Sequence, residues 1–109
     1  MNEPVTIADM QQAVHRTAVE HGWWESERPV GEVLMLIVTE LAEAMEAFRE
    51  GNGESEKIPG FSKLEEELAD AIIRILDFAG GEELDIEGAL RAKMVYNEGR
   101  PYRHGGKLA

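Results

Sequence analysis

Two stretches set the terms on which this chain can fold: Thr39-Glu40-Leu41-Ala42-Glu43-Ala44-Met45-Glu46 and Glu65-Glu66-Glu67-Leu68-Ala69-Asp70. Each combines apolar residues at helical spacing with carboxylates three residues apart, Glu40 with Glu43 and Glu67 with Asp70. Residues so spaced share one side of a helix, where like charges repel by about 0.3 kcal/mol, and by more once water is excluded. Two such pairs on facing helices make a cage for a hard divalent cation. The competing reading is a solvated acidic face on an acidic protein.

The helical wheel separates the two readings. Glu40 is flanked by apolar residues on both sides, with Val33, Leu34, Ile37, Leu41, Ala44, Met45 and Phe48 on one and Leu36 and Ala47 on the other. Glu67 lies between Leu64, Ala71 and Phe78 on one side and Asp70 and Arg74 on the other. Carboxylates at the border of a packing stripe need a counter-charge, and a bound cation is the simplest one.

No stretch alternates with the period of a strand, so the expected fold is all-α, a four-helix bundle in a single domain over residues 1–109. Thr6 caps a first helix over about Ile7 to His21, with Asp9 completing a capping box and Gly22 as the stop. A second helix runs from Val30 or Gly31 to Arg49 or Glu50. Ser62, with Glu65 three residues on, caps a third that Gly80-Gly81 ends. Asp85 caps a fourth from about Ile86 to Glu98. Residues 51–61, with three glycines and Pro59, read as a mobile loop or flap.

The charge balance narrows the ligands. Acidic residues outnumber basic ones 22 to 11, a net charge of −11, which disfavours nucleic-acid polymers and anionic membranes. A small phosphate ligand reached through metal remains compatible with it. With no cysteine, disulfides, thiolate zinc sites and cysteine nucleophiles are excluded. A di-iron carboxylate bundle needs Glu-x-x-His pairs, and none of His15, His21 or His104 follows a glutamate by three. No signal-peptide pattern or membrane-length apolar run occurs, so a soluble, cytoplasmic protein is expected. His15 and His21 read as ordinary boundary residues.

Two further features bear on a ligand. The turn Gly22-Trp23-Trp24 holds both tryptophans side by side, where both cannot face one core; either one belongs to the core and the other is a platform for a flat ligand, or both are purely structural. From Arg91 onward the chain turns basic, and residues 99–109 form a basic tail with Arg100, Arg103, His104 and Lys107. That end either balances charge or clamps phosphates held by the acids through metal.

Taken together, Glu40-x-x-Glu43, Glu67-x-x-Asp70, Lys93-x-x-x-Asn97 and Arg100-Pro101-Tyr102 resemble the MazG-like all-α nucleoside triphosphate pyrophosphohydrolases. The resemblance covers roughly residues 20–107, including the Gly-Trp-Trp turn and the Arg103-His104-Gly105-Gly106-Lys107 end. It implies a homodimer or homotetramer that binds Mg²⁺, with Mn²⁺ as a substitute. The implied reaction cleaves a nucleoside triphosphate to the monophosphate and pyrophosphate.

By the same resemblance, Glu40, Glu43, Glu67 and Asp70 would be metal ligands, and Lys93 and Asn97, with Arg100 and Arg103, would contact phosphate or sugar. Trp23 or Trp24 would lie near the base, and Glu43 or Glu46 would orient or deprotonate the attacking water. Thr39 stands where many relatives carry a glutamate, and the ladder also permits a register that uses Glu43 and Glu46. The rival is a non-catalytic helical interaction module whose acids only tune solubility.

Overall fold

A computed structural model describes residues 3–102. Four helices follow in order: α1 (Ile7–Glu20), α2 (Val30–Arg49), α3 (Lys63–Gly81) and α4 (Ile86–Glu98). Among the described residues there is no strand, only an isolated antiparallel bridge between Glu54 and Ser62. The expected all-α class is therefore observed, and among the described residues no helix is long and apolar enough to cross a membrane.

The helix starts follow from local chemistry. Thr6 Oγ1 accepts from the Asp9 amide at 3.0 Å, and Asp9 returns a carboxylate oxygen to the Thr6 amide. Ser62 and Glu65 make the same reciprocal pair at 3.1 and 2.8 Å, and Asp85 accepts from the Gly88 amide at 2.8 Å. Each cap satisfies an amide that the first turn of a helix leaves without a partner. α2 starts at Pro29 with no side-chain cap. Pro29 lacks an N–H in any case, and its ring holds φ near helical values.

α3 is the central helix. α2 packs along one side of it and α1 along another, while α4 rests lightly on α1. Ala44 and Ala47 of α2 and Ala71, Leu76 and Ala79 of α3 are the buried apolar residues among those described.

As expected, α3 ends at Gly80-Gly81, and a left-handed residue follows at Glu83, with φ 57°. Neither glycine itself takes the left-handed conformation; the two serve close approach. A Cβ on Gly80 would lie 2.7 Å from the His15 Cβ, and one on Gly81 would overlap the Trp24 ring. Gly81→Ala is therefore expected to lower the melting temperature by several degrees. The helix-propensity gain of about 1 kcal/mol is outweighed by about 1–3 kcal/mol of overpacking against a ring that cannot yield. An unchanged or raised melting temperature would contradict the packing described.

The stripe that buries α2 also differs from the one expected. Val33, Leu36, Ile37 and Glu40 are half-buried beside buried Ala44 and Ala47, whereas Leu34, Leu41, Met45 and Phe48 stay exposed. Glu40 thus sits within the packed face of α2, not at its border. Residues 51–61 form a hydrogen-bonded loop: Asn52 Oδ1 accepts from the Leu64 amide, the Ser55 amide donates to the Phe61 carbonyl, and Ser55 itself is buried.

Candidate metal centre

The acids of the two helices meet. One carboxylate oxygen from each of Glu40, Glu67 and Asp70 lies within 4.8 Å of the other two, and all three residues are half-buried. An octahedral ion with bonds of about 2.1 Å would have ligand oxygens roughly 3.0 to 4.2 Å apart, which small side-chain rotations from this arrangement can meet. An all-oxygen donor set suits Mg²⁺ or Mn²⁺ and offers nothing to a softer metal.

Glu43 does not belong to the triad. It is exposed, yet close enough that its charge acts on Glu67. Glu46, six residues and about 9 Å of helix beyond Glu40, is exposed and outside the group. Thr39 turns its hydroxyl back to the Leu36 carbonyl at 2.6 Å, so the residue in the place of a second glutamate is not directed at the acids.

Two partners that the sequence reading did not assign complete the surroundings. Arg74 Nε donates to Glu40 Oε1 at 2.8 Å, with the Glu40 side chain 14% exposed and that of Arg74 35% exposed. Glu66, also well covered, accepts from the Ser55 hydroxyl at 2.5 Å and lies 3.9 Å from Lys57 Nζ. Arg74 follows Asp70 by four residues and so stacks on the same face one turn on, a signal that α3 carried openly. Lys57 arrives from a loop, where spacing gives no such indication.

Crowding shows in the carboxyl groups. Burial, then the charges of Asp70, Glu66, Glu40 and Glu43, hold Glu67 above its ordinary value of 4.5. Burial, then Glu40 and Glu66, raise Asp70 above 3.8, against the pull of Lys57 and Arg74. A carboxyl raised in the native state binds more protons there than in the unfolded chain. Its contribution to stability is thus full below the ordinary value and lost as pH rises through the raised one.

The metal-free protein is accordingly expected to melt higher in mildly acidic buffer than at neutral pH. Glu67→Gln should flatten that slope. The capping carboxylates Asp9 and Glu65 are lowered, chiefly by the backbone amides of Val5 and Thr6 and of Ser62. Their contributions run the other way and are lost as pH falls below 3.8 and 4.5, which bounds the acidic side. A chelator-treated melting series across pH checks both arms, and stability rising from mildly acidic to neutral pH in wild type would contradict the crowding.

Beside the triad opens a cavity of about 410 Å³, walled by Glu40 and Asp70, by the cations Arg28, Lys57 and Arg74, and by Trp23. That volume is in the range of small-ligand sites. Neither tryptophan is in the core, in contrast to the reading in which one would be: Trp24 is 36% and Trp23 56% exposed. Trp24 is anchored: its Nε1 donates to Asp77 Oδ1 at 2.8 Å and its ring meets His15 edge-on at 5.0 Å. Trp23 is the more exposed of the two, with the Arg28 guanidinium 5.7 Å from its ring centre. His15 Nδ1 lies 2.9 Å from the same Asp77 oxygen, so Asp77 ties α1, the turn and α3 together at the base of the cavity.

The basic residues of α4 and of the segment just after it lie elsewhere. Lys93 and Arg100 gather over the Tyr96 ring at 4.5 and 5.6 Å, and neither they nor Asn97 lines the cavity beside the acids. Arg103, His104 and Lys107, within residues 103–109, lie outside the described residues. Comparison of the chain with protein families, with curated proteins and with solved structures finds no match.

Proposed function

We propose that this protein is a Mg²⁺-dependent nucleoside triphosphate pyrophosphohydrolase of the MazG-like kind. The observation that carries the reading is the convergence of Glu40, Glu67 and Asp70 from two helices, with Glu40 and Asp70 on the wall of a cavity that also holds cations and an exposed tryptophan. A purely solubilising acidic face has no reason to be half-buried, crowded and next to a ligand-sized space.

In this reading Glu40, Glu67 and Asp70 would hold Mg²⁺, which when bound would offset the charge of the phosphates and acidify water. Glu43, one turn from Glu40 and outside the triad, would take the proton from the attacking water. Trp23 offers its face to the base, while Trp24, already committed to Asp77, fixes the wall behind it. The roles implied for Lys93, Asn97 and Arg100 require a second copy to bring α4 to the cavity.

A homo-oligomer fits the exposed apolar surface. The chain exposes 8529 Å², against roughly 6,100 Å² expected for a folded monomer of its mass. Leu34, Leu41, Met45 and Phe48 of α2, Leu68 and Ile72 of α3 and Met94 of α4 contribute to that excess. The same exposure favours the rival reading, a helical interaction module.

Assay of the purified protein with Mg²⁺ and a panel of nucleoside triphosphates tests the choice. Release of the monophosphate and pyrophosphate is the expected result. Inorganic phosphate alone, or no product from any nucleotide, would reject it. Glu43→Gln should keep Mg²⁺ binding and lose turnover, on the order of a hundredfold or more, as expected for removal of a general base.

A further inference from the structure

The pairing of Arg74 with Glu40 leaves most of the arginine unused. Its Nε is bonded to Glu40, and its terminal amino groups, although their charge acts on Asp70, make no hydrogen bond among the described residues. Arg74 nonetheless lines the cavity together with Asp70 and Lys57. A guanidinium fixed at Nε and open at its outer edge is already oriented. That edge is the part of arginine that matches the paired oxygens of a phosphate.

Lys57 adds a second cation from the opposite element. Its loop is pinned by the buried Ser55, whose hydroxyl donates to Glu66, while the Lys57 side chain is 85% exposed and held only at 3.9 Å from Glu66. Because the backbone beneath it is fixed and the side chain is free to swing, Lys57 can follow a ligand without disturbing the fold. Arg28 already faces the Trp23 ring, which leaves Arg74 and Lys57 as the cations beside the acids.

We propose that Arg74, held by Glu40, and Lys57 form the phosphate-binding pair of this cavity, engaging the polyphosphate of a ligand bridged by metal to Glu40, Glu67 and Asp70. The proposal rests on the pyrophosphohydrolase reading and assigns its phosphate contacts to α3 and the 51–61 loop of the same chain. The simpler alternative is that Arg74 only neutralises Glu40. The two differ in what removing Arg74 does to anion binding.

Calorimetric titration of the full chain with inorganic pyrophosphate in the presence of Mg²⁺ separates them. Arg74→Gln should weaken pyrophosphate roughly tenfold or more, as expected for loss of charge-assisted hydrogen bonds. Arg74→Lys should recover part of that loss. Lys57→Gln, at an exposed position that leaves folding alone, should weaken pyrophosphate about threefold and keeps the test open if Arg74→Gln does not fold. Arg91→Gln removes the same charge from α4, where the side chain is exposed and faces Glu87, and should change nothing. Mg²⁺ should still raise the melting temperature of every variant.

Wild-type affinity for pyrophosphate in both Arg74→Gln and Lys57→Gln, with Mg²⁺ binding intact, overturns this assignment alone. A wild-type protein that takes up no Mg²⁺ overturns the pyrophosphohydrolase reading and the assignment with it.

Discussion

Glu67→Gln is expected to abolish the response to Mg²⁺ and to cut turnover on the order of a hundredfold or more, while leaving the metal-free protein at least as stable as wild type. Loss of a residue that merely supports a ligand costs about 10–100-fold, so loss of a ligand itself must cost at least as much. The stability half of the prediction runs in the opposite direction. Glu67 is raised by burial and by four neighbouring carboxylates, and a neutral amide of the same shape removes that repulsion. A side chain that destabilises its own fold yet is needed for activity is the pattern of a site built for a ligand. An acidic face serving only solubility predicts no change in either quantity. Melting curves with and without Mg²⁺, run beside the nucleotide assay, read both.

The second large effect is expected on the exposed apolar face. Aspartate at both Met45 and Phe48 should convert an oligomer to a monomer and lower the melting temperature by well over ten degrees, about what several kcal/mol lost from a domain of this size produces. The buried core is small: apart from Leu76 it consists of alanines. In the proposed oligomer, covering the exposed apolar residues of α2, α3 and α4 adds to the stability of so small a core. Met45 and Phe48 are 53% and 65% exposed in the single chain, so most of the loss is expected from the contact between copies and less from packing within one. Light scattering coupled to size exclusion, with thermal unfolding of the same samples, checks the prediction. A wild-type monomer with ordinary stability would contradict it.

What the sequence made legible was local. Thr6 with Asp9, Ser62 with Glu65 and Asp85 announced three helix starts, because a cap is decided within four residues. The triad was legible in part: Glu40, Glu67 and Asp70 could be named from spacing, but Glu43 shares the motif without joining the group. α2 is apolar on more than one face, so periodicity could not tell that Val33, Leu36 and Ile37 turn inward and Leu41, Met45 and Phe48 do not. Only the partner helix decides that.

The same limit hid the cations. Spacing drew attention to the basic run from Arg91 onward, whereas the residues beside the acids are Arg28, Lys57 and Arg74, brought from a turn, a loop and α3. Gly80 and Gly81 read as a stop because glycine often ends helices. Their reason for being glycine is the close passage of His15 and Trp24, which no local pattern expresses.

Calorimetric titration of the chelator-treated protein with Mg²⁺ tests the central claim most directly. Saturable binding is predicted, weakened by each of Glu40→Gln, Glu67→Gln and Asp70→Asn and largely retained in Glu43→Gln. Heats no larger than dilution in wild type, or binding undiminished in all three ligand variants, would contradict it.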